Sequence, residues 1–198
     1  MGLPHLTPRD ARTAGSRCCL SASSPGARGT TIVRSAGGHH MIRKAIISRA
    51  SDEWATPDDL YAALDAEFRF TVDVAATQDN AQCATYLTRE DDAIAVAWRD
   101  VPSQRPGRPV VWCNPPYSQI TGFMHKAAET AQLGCTVVCL VPARTDTRWW
   151  HDYVWDRDRH EPRHGVEVRF LRGRLKFGHG HWSAPFPSAV IVFRRHDK

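Results

Sequence analysis

The stretch Val110-Val111-Trp112-Cys113-Asn114-Pro115-Pro116-Tyr117 decides the fold of this chain. Its first four residues are apolar and predict a short buried strand. The two prolines that follow the asparagine cannot continue a central strand, because proline donates no hydrogen bond to a sheet. The chain must therefore turn where the strand ends, and in open α/β sheets ligands bind outside the carboxyl ends of strands. We expect residues 114–117 to form part of a binding site.

The chemistry of these four residues suits a planar amine. The exocyclic amine of adenine is a poor nucleophile, because its lone pair is delocalised into the ring. The side-chain oxygen of Asn114 and the backbone carbonyl of Pro115 could accept its two N–H hydrogens, which favours a more nucleophilic nitrogen. The prolines would fix the direction of that carbonyl, and Tyr117 would stack on the ring. The pattern predicts Asn114, Pro115, Pro116 and Tyr117 as catalytic residues; the structural alternative is a β-turn stiffened by two prolines.

From Asp52 onward the sequence alternates helical and strand patterns, which predicts the α/β class. Thr56 as cap, Pro57 at the first position and two acids behind it predict the start of a helix. The continuous apolar run 136–141 is typical of a central parallel strand that is buried on both faces. The predicted helices cover residues 56–68, 120–133 and 147–155. The predicted strands cover residues 70–74, 110–113, 136–141, 166–171 and 189–193, with a further strand near Tyr86-Leu87.

The length of 198 residues and the 42% hydrophobic content allow one domain with a sizeable core. No apolar run approaches the ~18 residues of a membrane span. Residues 1–40 are rich in Ser, Ala, Gly, Pro and Arg, without periodicity or a secretory apolar core. We expect this segment to be a disordered or non-native extension, with Met41 as the natural start, which the intact mass of natively expressed protein would test. Residues 41–198 are then a single domain, and we expect a cytoplasmic protein.

Charge is unevenly distributed along the chain, whose net charge is +5. Residues 41–142 hold nine Lys or Arg against thirteen Asp or Glu, whereas residues 143–198 hold twelve against seven. A basic C-terminal part beside an acidic middle favours an anionic partner that meets one face. A mixed, solvated surface is the alternative.

The six cysteines form no C-x-x-C pair, and Cys113 and Cys139 lie inside apolar strand-like runs. This pattern favours small buried hydrophobic residues in a reducing compartment over a disulfide framework or a zinc site. We therefore predict no metal.

Five blocks of sequence, in this order and spacing, resemble those of the small phage-encoded DNA methyltransferases that modify the adenine amino group. The first contains Trp54-Ala55-Thr56-Pro57, the second ends in Asp73-Val74-Ala75-Ala76, and the third is built around Asn114-Pro115-Pro116-Tyr117. The resemblance runs from about Asp52 to Arg194. The five blocks cover residues 52–57, 70–76, 111–118, 140–147 and 173–177.

The resemblance implies a Rossmann-like class I methyltransferase fold, with a mostly parallel sheet and a C-terminal antiparallel strand. It also implies S-adenosylmethionine as the methyl donor. Asp73 would meet the cofactor's amino acid or a bridging water, and a carboxylate near Asp92 would hold a ribose. The alternatives are a plain helix cap at Thr56, a turn carboxylate at Asp73 and a solvated acidic loop around Asp91 and Asp92. The implied cofactor-binding residues are Trp54, Thr56, Pro57, Asp73, Ala75 and Asp92.

DNA is the implied partner, and its target base would be flipped out of the duplex to reach the pocket. The loops within residues 143–187 would face DNA, and Trp149 and Trp150 could act as wedges or pack in the core. A monomer is slightly favoured. The candidate phosphate contacts are Arg144, Arg148, Arg172, Arg174 and Lys176.

The predicted function is therefore S-adenosylmethionine-dependent methylation of the adenine amino group in DNA. Three alternatives stay open at this point. The same tetrapeptide could serve an amine in RNA or the glutamine amide of a protein, and the chain could be a non-catalytic DNA-binding protein on the same fold.

Overall fold

The computed structural model describes residues 34–35, 55–177 and 182–195. Trp54 and, apart from residues 34–35, the predicted N-terminal extension lie outside these ranges, so the predictions made for them stay predictions. The helices of the described residues are α1 (Asp58–Phe68), α2 (Ile120–Gln132) and α3 (Arg148–Tyr153). The strands are β1 (Arg34–Ser35), β2 (Val72–Asp73), β3 (Thr85–Tyr86), β4 (Val110–Cys113), β5 (Thr136–Pro142), β6 (Trp155–Asp156), β7 (Glu161–Pro162), β8 (Val166–Phe170), β9 (Lys176–Phe177), β10 (Trp182–Ser183) and β11 (Ser188–Phe193).

A seven-stranded mixed sheet forms the centre, in the order β1-β3-β2-β4-β5-β11-β8. Strands β3, β2, β4 and β5 lie side by side and run parallel to one another, whereas β11 is antiparallel to both β5 and β8. The predicted α/β class, with a mostly parallel central part and an antiparallel C-terminal strand, is confirmed. The sequence patterns did not predict the small hairpins β6–β7 and β9–β10.

Both faces of the central sheet are covered, which explains the unbroken apolar run of β5. Val137, Cys139 and Val141 join the cluster that contains α2 and α3. Val138 and Leu140 point to the opposite face and join the cluster beneath α1. Because successive side chains of a strand alternate between faces, a strand buried on both sides has no polar positions.

Helix α2 follows the predicted amphipathic pattern. Phe123, Ala127 and Ala131 are buried on the face towards the sheet. The helix ends before Gly134, whose φ of 88° lies in the left-handed region that a residue with a side chain rarely adopts.

Helix α1 differs from the prediction at its start. It begins at Asp58, Pro57 occupies the N-cap position, and no side chain caps the helix. The prediction that Thr56 caps this helix is therefore wrong, because the Thr56 hydroxyl is engaged with another part of the chain. Asp58 and Asp59 lie in the first turn, as predicted.

The topology brings the functional segments to one edge of the sheet. The parallel strands β2, β3, β4 and β5 all end there. Strand β8 points the same way, since β11 is antiparallel to both β5 and β8, and β11 starts at this edge with Ser188 opposite Pro142. We call this side of the sheet the carboxyl edge.

The described residues also bear on membrane spans and on metal sites. Among the described residues, no helix combines the length and apolar character needed to cross a membrane, and no cluster of three or more potential metal ligands occurs. Cys83, Cys113, Cys135 and Cys139 are buried free thiols, in line with the prediction from their sequence context.

Candidate active site

A cavity of about 510 Å³ opens at the carboxyl edge, beyond the ends of β2, β3 and β4. Its volume falls within the ~300–1,000 Å³ range of small-molecule and cofactor sites. Six of the predicted site residues line it. They are Thr56, Asp73, Ala75, Asp92, Asn114 and Pro116.

Asn114 follows the last residue of β4 and lies half-buried at the cavity. Its side-chain Nδ2 donates a hydrogen bond to the Thr56 hydroxyl oxygen over 3.1 Å. Since Nδ2 is the donor in this contact, Oδ1 is the acceptor atom of the amide. Asn114 therefore places a hydrogen-bond acceptor, Oδ1, just beyond the carboxyl end of β4. The hydrogen bond to Thr56 holds the side chain in place.

Asp73, the last residue of β2, is 2% exposed and shapes the adjoining loop. Its two carboxylate oxygens accept hydrogen bonds from the backbone N–H groups of Ala75 and Gln82, each over 3.1 Å. Burial raises the pKa of the Asp73 carboxyl to about 6, although these two hydrogen bonds act in the opposite direction. A buried carboxylate thus fixes the loop 74–82, which forms one wall of the cavity.

A second polar segment follows β3. Thr88 donates its backbone N–H and its hydroxyl to Asp91, each over 2.8 Å, and this contact turns the chain into a short 3-10 helix. Asp92 comes next in a left-handed conformation with φ 47°, is exposed and lines the cavity together with Arg89. Of the two neighbouring acids, Asp91 therefore stabilises the turn and Asp92 reaches the cavity.

One part of the cavity is apolar and is formed by Ala93, Ile94 and Phe123. Ile94 packs against Gly122 of α2 so closely that a Cβ at position 122 would lie 2.8 Å from its Cδ1. The absence of a side chain at Gly122 therefore sets the position of Ile94 and, with it, the width of the cavity.

The rest of the tetrapeptide lies beside this cavity. Pro115 is buried, and the Tyr117 ring packs edge-on against Phe186, with 5.2 Å between the ring centroids. Burial raises the pKa of the Tyr117 hydroxyl far above its usual value, while the positive charge of Arg144 lowers it. Tyr117 thus lies between the segment that follows β5 and the segment that precedes β11.

The predicted DNA-contacting side chains lie at the carboxyl edge and are exposed. Arg144 and Arg148 follow β5, and Arg174 and Lys176 follow β8. Arg148 forms a surface ion pair with Asp152 over 3.3 Å, whereas none of the other three forms an ion pair within residues 55–177 and 182–195. Arg172, the remaining candidate, is exposed as well.

Other arginines of the basic C-terminal part form ion pairs with glutamates of the same chain. Arg169 holds Glu67 with two hydrogen bonds of 2.6 and 2.7 Å, and Arg194 holds Glu167 over 2.7 Å. Hydrogen bonds from Arg169 lower the pKa of both Glu67 and Glu167. Net charge along the sequence therefore overstates the number of cations available to an anionic partner.

Of the two roles that the sequence left open for Trp149 and Trp150, the structure favours packing in the core over a wedge. Trp149 is 5% exposed and Trp150 is 1% exposed, so both pack in the core on α3. Adjacent helical residues point in different directions, yet both tryptophans join the same core cluster.

Three predicted residues do not line the cavity in the described part of the chain: Pro57, Pro115 and Tyr117. Trp54 lies outside the described residues. The sequence patterns missed several polar lining residues, although the Thr88-x-x-Asp91 spacing is typical of a capping box and could have indicated the turn. The missed lining residues include Thr77, Asn80, Gln82, Thr88, Arg89, Ser118 and Gln119.

Comparison with known proteins finds relatives whose names describe them as methyltransferases. The DNA N-6-adenine-methyltransferase of Escherichia phage T1 is 29% identical over 100 residues, which cover 50% of this chain and 39% of that protein. The protein of the same name from Haemophilus phage HP1 is 29% identical over 102 residues, which cover 50% of this chain and 54% of that protein. The putative methyltransferase YfdM of Escherichia coli K12 is 35% identical over 72 residues, which cover 36% of this chain and 77% of that protein.

The chain thus spans about two fifths and about half of the two phage relatives. A family model covers more of it and includes every predicted site residue. The model for DNA N-6-adenine-methyltransferase (Dam) matches residues 44–194, and the chain therefore belongs to this family.

Proposed function

We propose that this chain transfers a methyl group from S-adenosylmethionine to the exocyclic amino group of adenine in DNA. The observation that carries the proposal is the position of Asn114: an amide at the carboxyl end of β4, held by Thr56, at a cavity of cofactor size. Family membership supports the reaction. The sheet order, with an antiparallel strand inserted between two strands of the opposite direction, supports a Rossmann-like methyltransferase fold.

The amine would be activated by two acceptors. The Asn114 Oδ1 atom and the Pro115 carbonyl oxygen accept its two N–H hydrogens, which draws the nitrogen lone pair out of conjugation with the ring. The nitrogen would then attack the donor's methyl carbon, the carbon–sulfur bond would break to leave a neutral thioether, and the nitrogen would give up one proton to solvent water. Because the acceptors are held before the substrate arrives, little reorganisation is needed during transfer.

Tyr117 would supply the stacking surface for the target base. An adenine inside a duplex is out of reach of the cavity, so the base must leave the stack, and an aromatic face recovers part of the lost stacking energy. The edge-on contact with Phe186 holds the Tyr117 ring in one orientation.

The cavity suits the proposed methyl donor, which supplies an electrophilic methyl group on a sulfonium. Asp73 has oxygen lone pairs beyond its two backbone hydrogen bonds and would attract a cationic ammonium group. Asp92 would accept from ribose hydroxyls, and the apolar part formed by Ile94 and Phe123 would take an aromatic ring. Ala75 allows close backbone approach, and Trp54, Thr56 and Pro57 stay predicted neighbours of the methionine end.

The polymer is proposed to be double-stranded DNA. The exposed cations Arg144, Arg148, Arg174 and Lys176 leave the sheet at the same edge as the cavity and would contact phosphates on both sides of the flipped base. RNA, a protein glutamine amide and a non-catalytic DNA-binding role are the rival functions.

The test is a transfer assay with labelled S-adenosylmethionine and three acceptors: unmethylated DNA, total RNA and a mixture of unmodified proteins. We expect label in the DNA alone. Label in RNA or protein without label in DNA would show that RNA or protein, and not DNA, is the substrate. Tight DNA binding without any transfer or cofactor binding would establish the non-catalytic role.

A further inference from the structure

The hydroxyl of Thr56 lies in an unexpected place for a residue that immediately precedes a helix. Thr56 is 7% exposed, whereas its neighbours Ala55 and Pro57 are only half-buried. Helix α1 receives no side-chain cap, so the hydroxyl is not used to start the helix. It accepts a hydrogen bond from Asn114, 58 positions further along the chain.

We infer that Thr56 is a positioning residue for Asn114, and the inference rests on the proposed function. The hydroxyl oxygen accepts from Nδ2 and so fixes the torsion angles of the amide, which directs Oδ1 to the substrate amine. Thr56 acts through Asn114 and needs no contact with the base.

The physical reason lies in the two ends of the amide group. In the reactive arrangement Oδ1 accepts from the substrate, and Nδ2 must find an acceptor of its own once the bound base excludes water. The Thr56 hydroxyl is an acceptor placed for this donor, so its removal would weaken the hold on the amide and let it turn away from the amine. Losing this acceptor should have its largest effect while substrate is bound, because the bound base excludes the water that could take its place.

This role differs from direct cofactor binding in what it predicts for kinetics. A cofactor ligand changes the affinity for S-adenosylmethionine, whereas a residue that orients the amide changes the rate at saturating substrates. The two roles can therefore be separated with variants at one position.

The experiment compares Thr56→Val, which keeps the shape and removes the hydroxyl, with Thr56→Ser, which keeps the hydroxyl. We expect the valine variant to lower kcat about tenfold. We expect the fall in kcat to exceed any rise in its Kd for S-adenosylmethionine, and the serine variant to keep kcat within about threefold. A valine variant with wild-type kcat would overturn the inference, and so would one whose whole defect is weaker cofactor binding.

A second measurement needs neither activity nor cofactor. Hydrogen exchange of the Asn114 side-chain amide protons, assigned by their loss in Asn114→Ala, can be followed by NMR in the unliganded protein. We expect faster exchange in Thr56→Val and in the smaller Thr56→Ala, and near-normal exchange in Thr56→Ser. Equal exchange in all four proteins would overturn the inference.

Failure of this inference and failure of the proposed function give different results. If wild-type protein methylates DNA while Thr56→Val does so equally fast, only the positioning role falls. If wild-type protein transfers no methyl group to adenine, the proposed function falls and takes this role with it.

Discussion

The cavity and the basic segments beside it lie at the same edge of one sheet but differ in how their polar groups are held. In the cavity, Asn114 is bonded to Thr56, and Asp73 is bonded to two backbone amides. At the surface, Arg144, Arg174 and Lys176 are exposed. Groups fixed in advance can stabilise a transition state, whereas exposed cations attract a polyanion without fixing its geometry. Changes in the cavity should therefore alter rate or cofactor affinity, and changes at the surface should alter DNA affinity.

The largest effect is expected at Asn114. Replacing it in Asn114→Ala removes one of the two acceptors of the substrate amine and should lower kcat about a thousandfold, the upper range for losing one preorganised hydrogen-bonding group. Affinity for S-adenosylmethionine, measured by calorimetry, should change little. Turnover close to wild type would remove Asn114 from the chemistry.

Asp73 should give the cavity a distinctive dependence of stability on pH. Its pKa is raised from 3.8 to about 6 by burial, so between these values the folded state binds more protons than the unfolded state. The free energy of unfolding should therefore fall as the pH rises from about 4 to about 6, by roughly 3 kcal/mol from this group alone, at about 1.4 kcal/mol per pKa unit.

Urea unfolding of wild type and Asp73→Asn across this pH range measures the contribution as a difference. The variant cannot ionise at this position, so its stability relative to wild type should improve with rising pH, even though it loses an acceptor at every pH. A difference that stays constant with pH would contradict the raised pKa.

Gly122→Ala sharpens the comparison within the cavity. The added methyl group would lie 2.8 Å from the Cδ1 atom of Ile94, which must then shift and alter the apolar part of the cavity. We expect the Kd for S-adenosylmethionine to rise about fivefold, which corresponds to roughly 1 kcal/mol.

The free energy of unfolding of this variant should rise, because alanine is favoured over glycine in a helix by about 0.5–1 kcal/mol. Thermal unfolding therefore serves as the control for Gly122→Ala. Unchanged cofactor affinity would show that Ile94 does not border the bound cofactor.

The smallest effects are expected at the surface. Arg174→Ala and Lys176→Ala should each weaken DNA binding a few-fold and reduce the salt slope, log Kobs against log salt, by about 0.9. Activity at saturating DNA should be unchanged.

Arg195→Ala is the matched control for the surface variants. Arg195 is exposed but follows the end of β11, which runs antiparallel, so it lies at the opposite edge of the sheet. Equal losses of salt slope at both edges would show that DNA contact is not confined to the carboxyl edge.

Much of the fold could be predicted from local sequence. The strand at 136–141 and the amphipathic helix that ends shortly before Gly134 were correctly predicted, because burial on two faces or on one face leaves a direct pattern in the chain. The order of five blocks indicated the family, which the family match confirms. Strand β2 is shorter than predicted, at two residues, because backbone pairing with its neighbours continues only at isolated positions on either side.

The site was less accessible to sequence reasoning, because its contacts join distant parts of the chain. Thr56 before Pro57 has the local pattern of a helix cap, and only the folded chain brings its hydroxyl to Asn114. Phe186 lies in a loop rich in proline, with no pattern to indicate that it packs on Tyr117. Trp149 and Trp150 were ambiguous because burial of both depends on how α3 packs against the rest of the core.

The central claim is that the cavity beside Asn114 methylates the amine of adenine in DNA. It is tested most directly by mass spectrometry of nucleosides from unmethylated DNA, after incubation with the protein and S-adenosylmethionine that carries a deuterated methyl group. We predict labelled N6-methyldeoxyadenosine in the wild-type reaction. DNA without label, or label on cytosine in place of adenine, would contradict the claim.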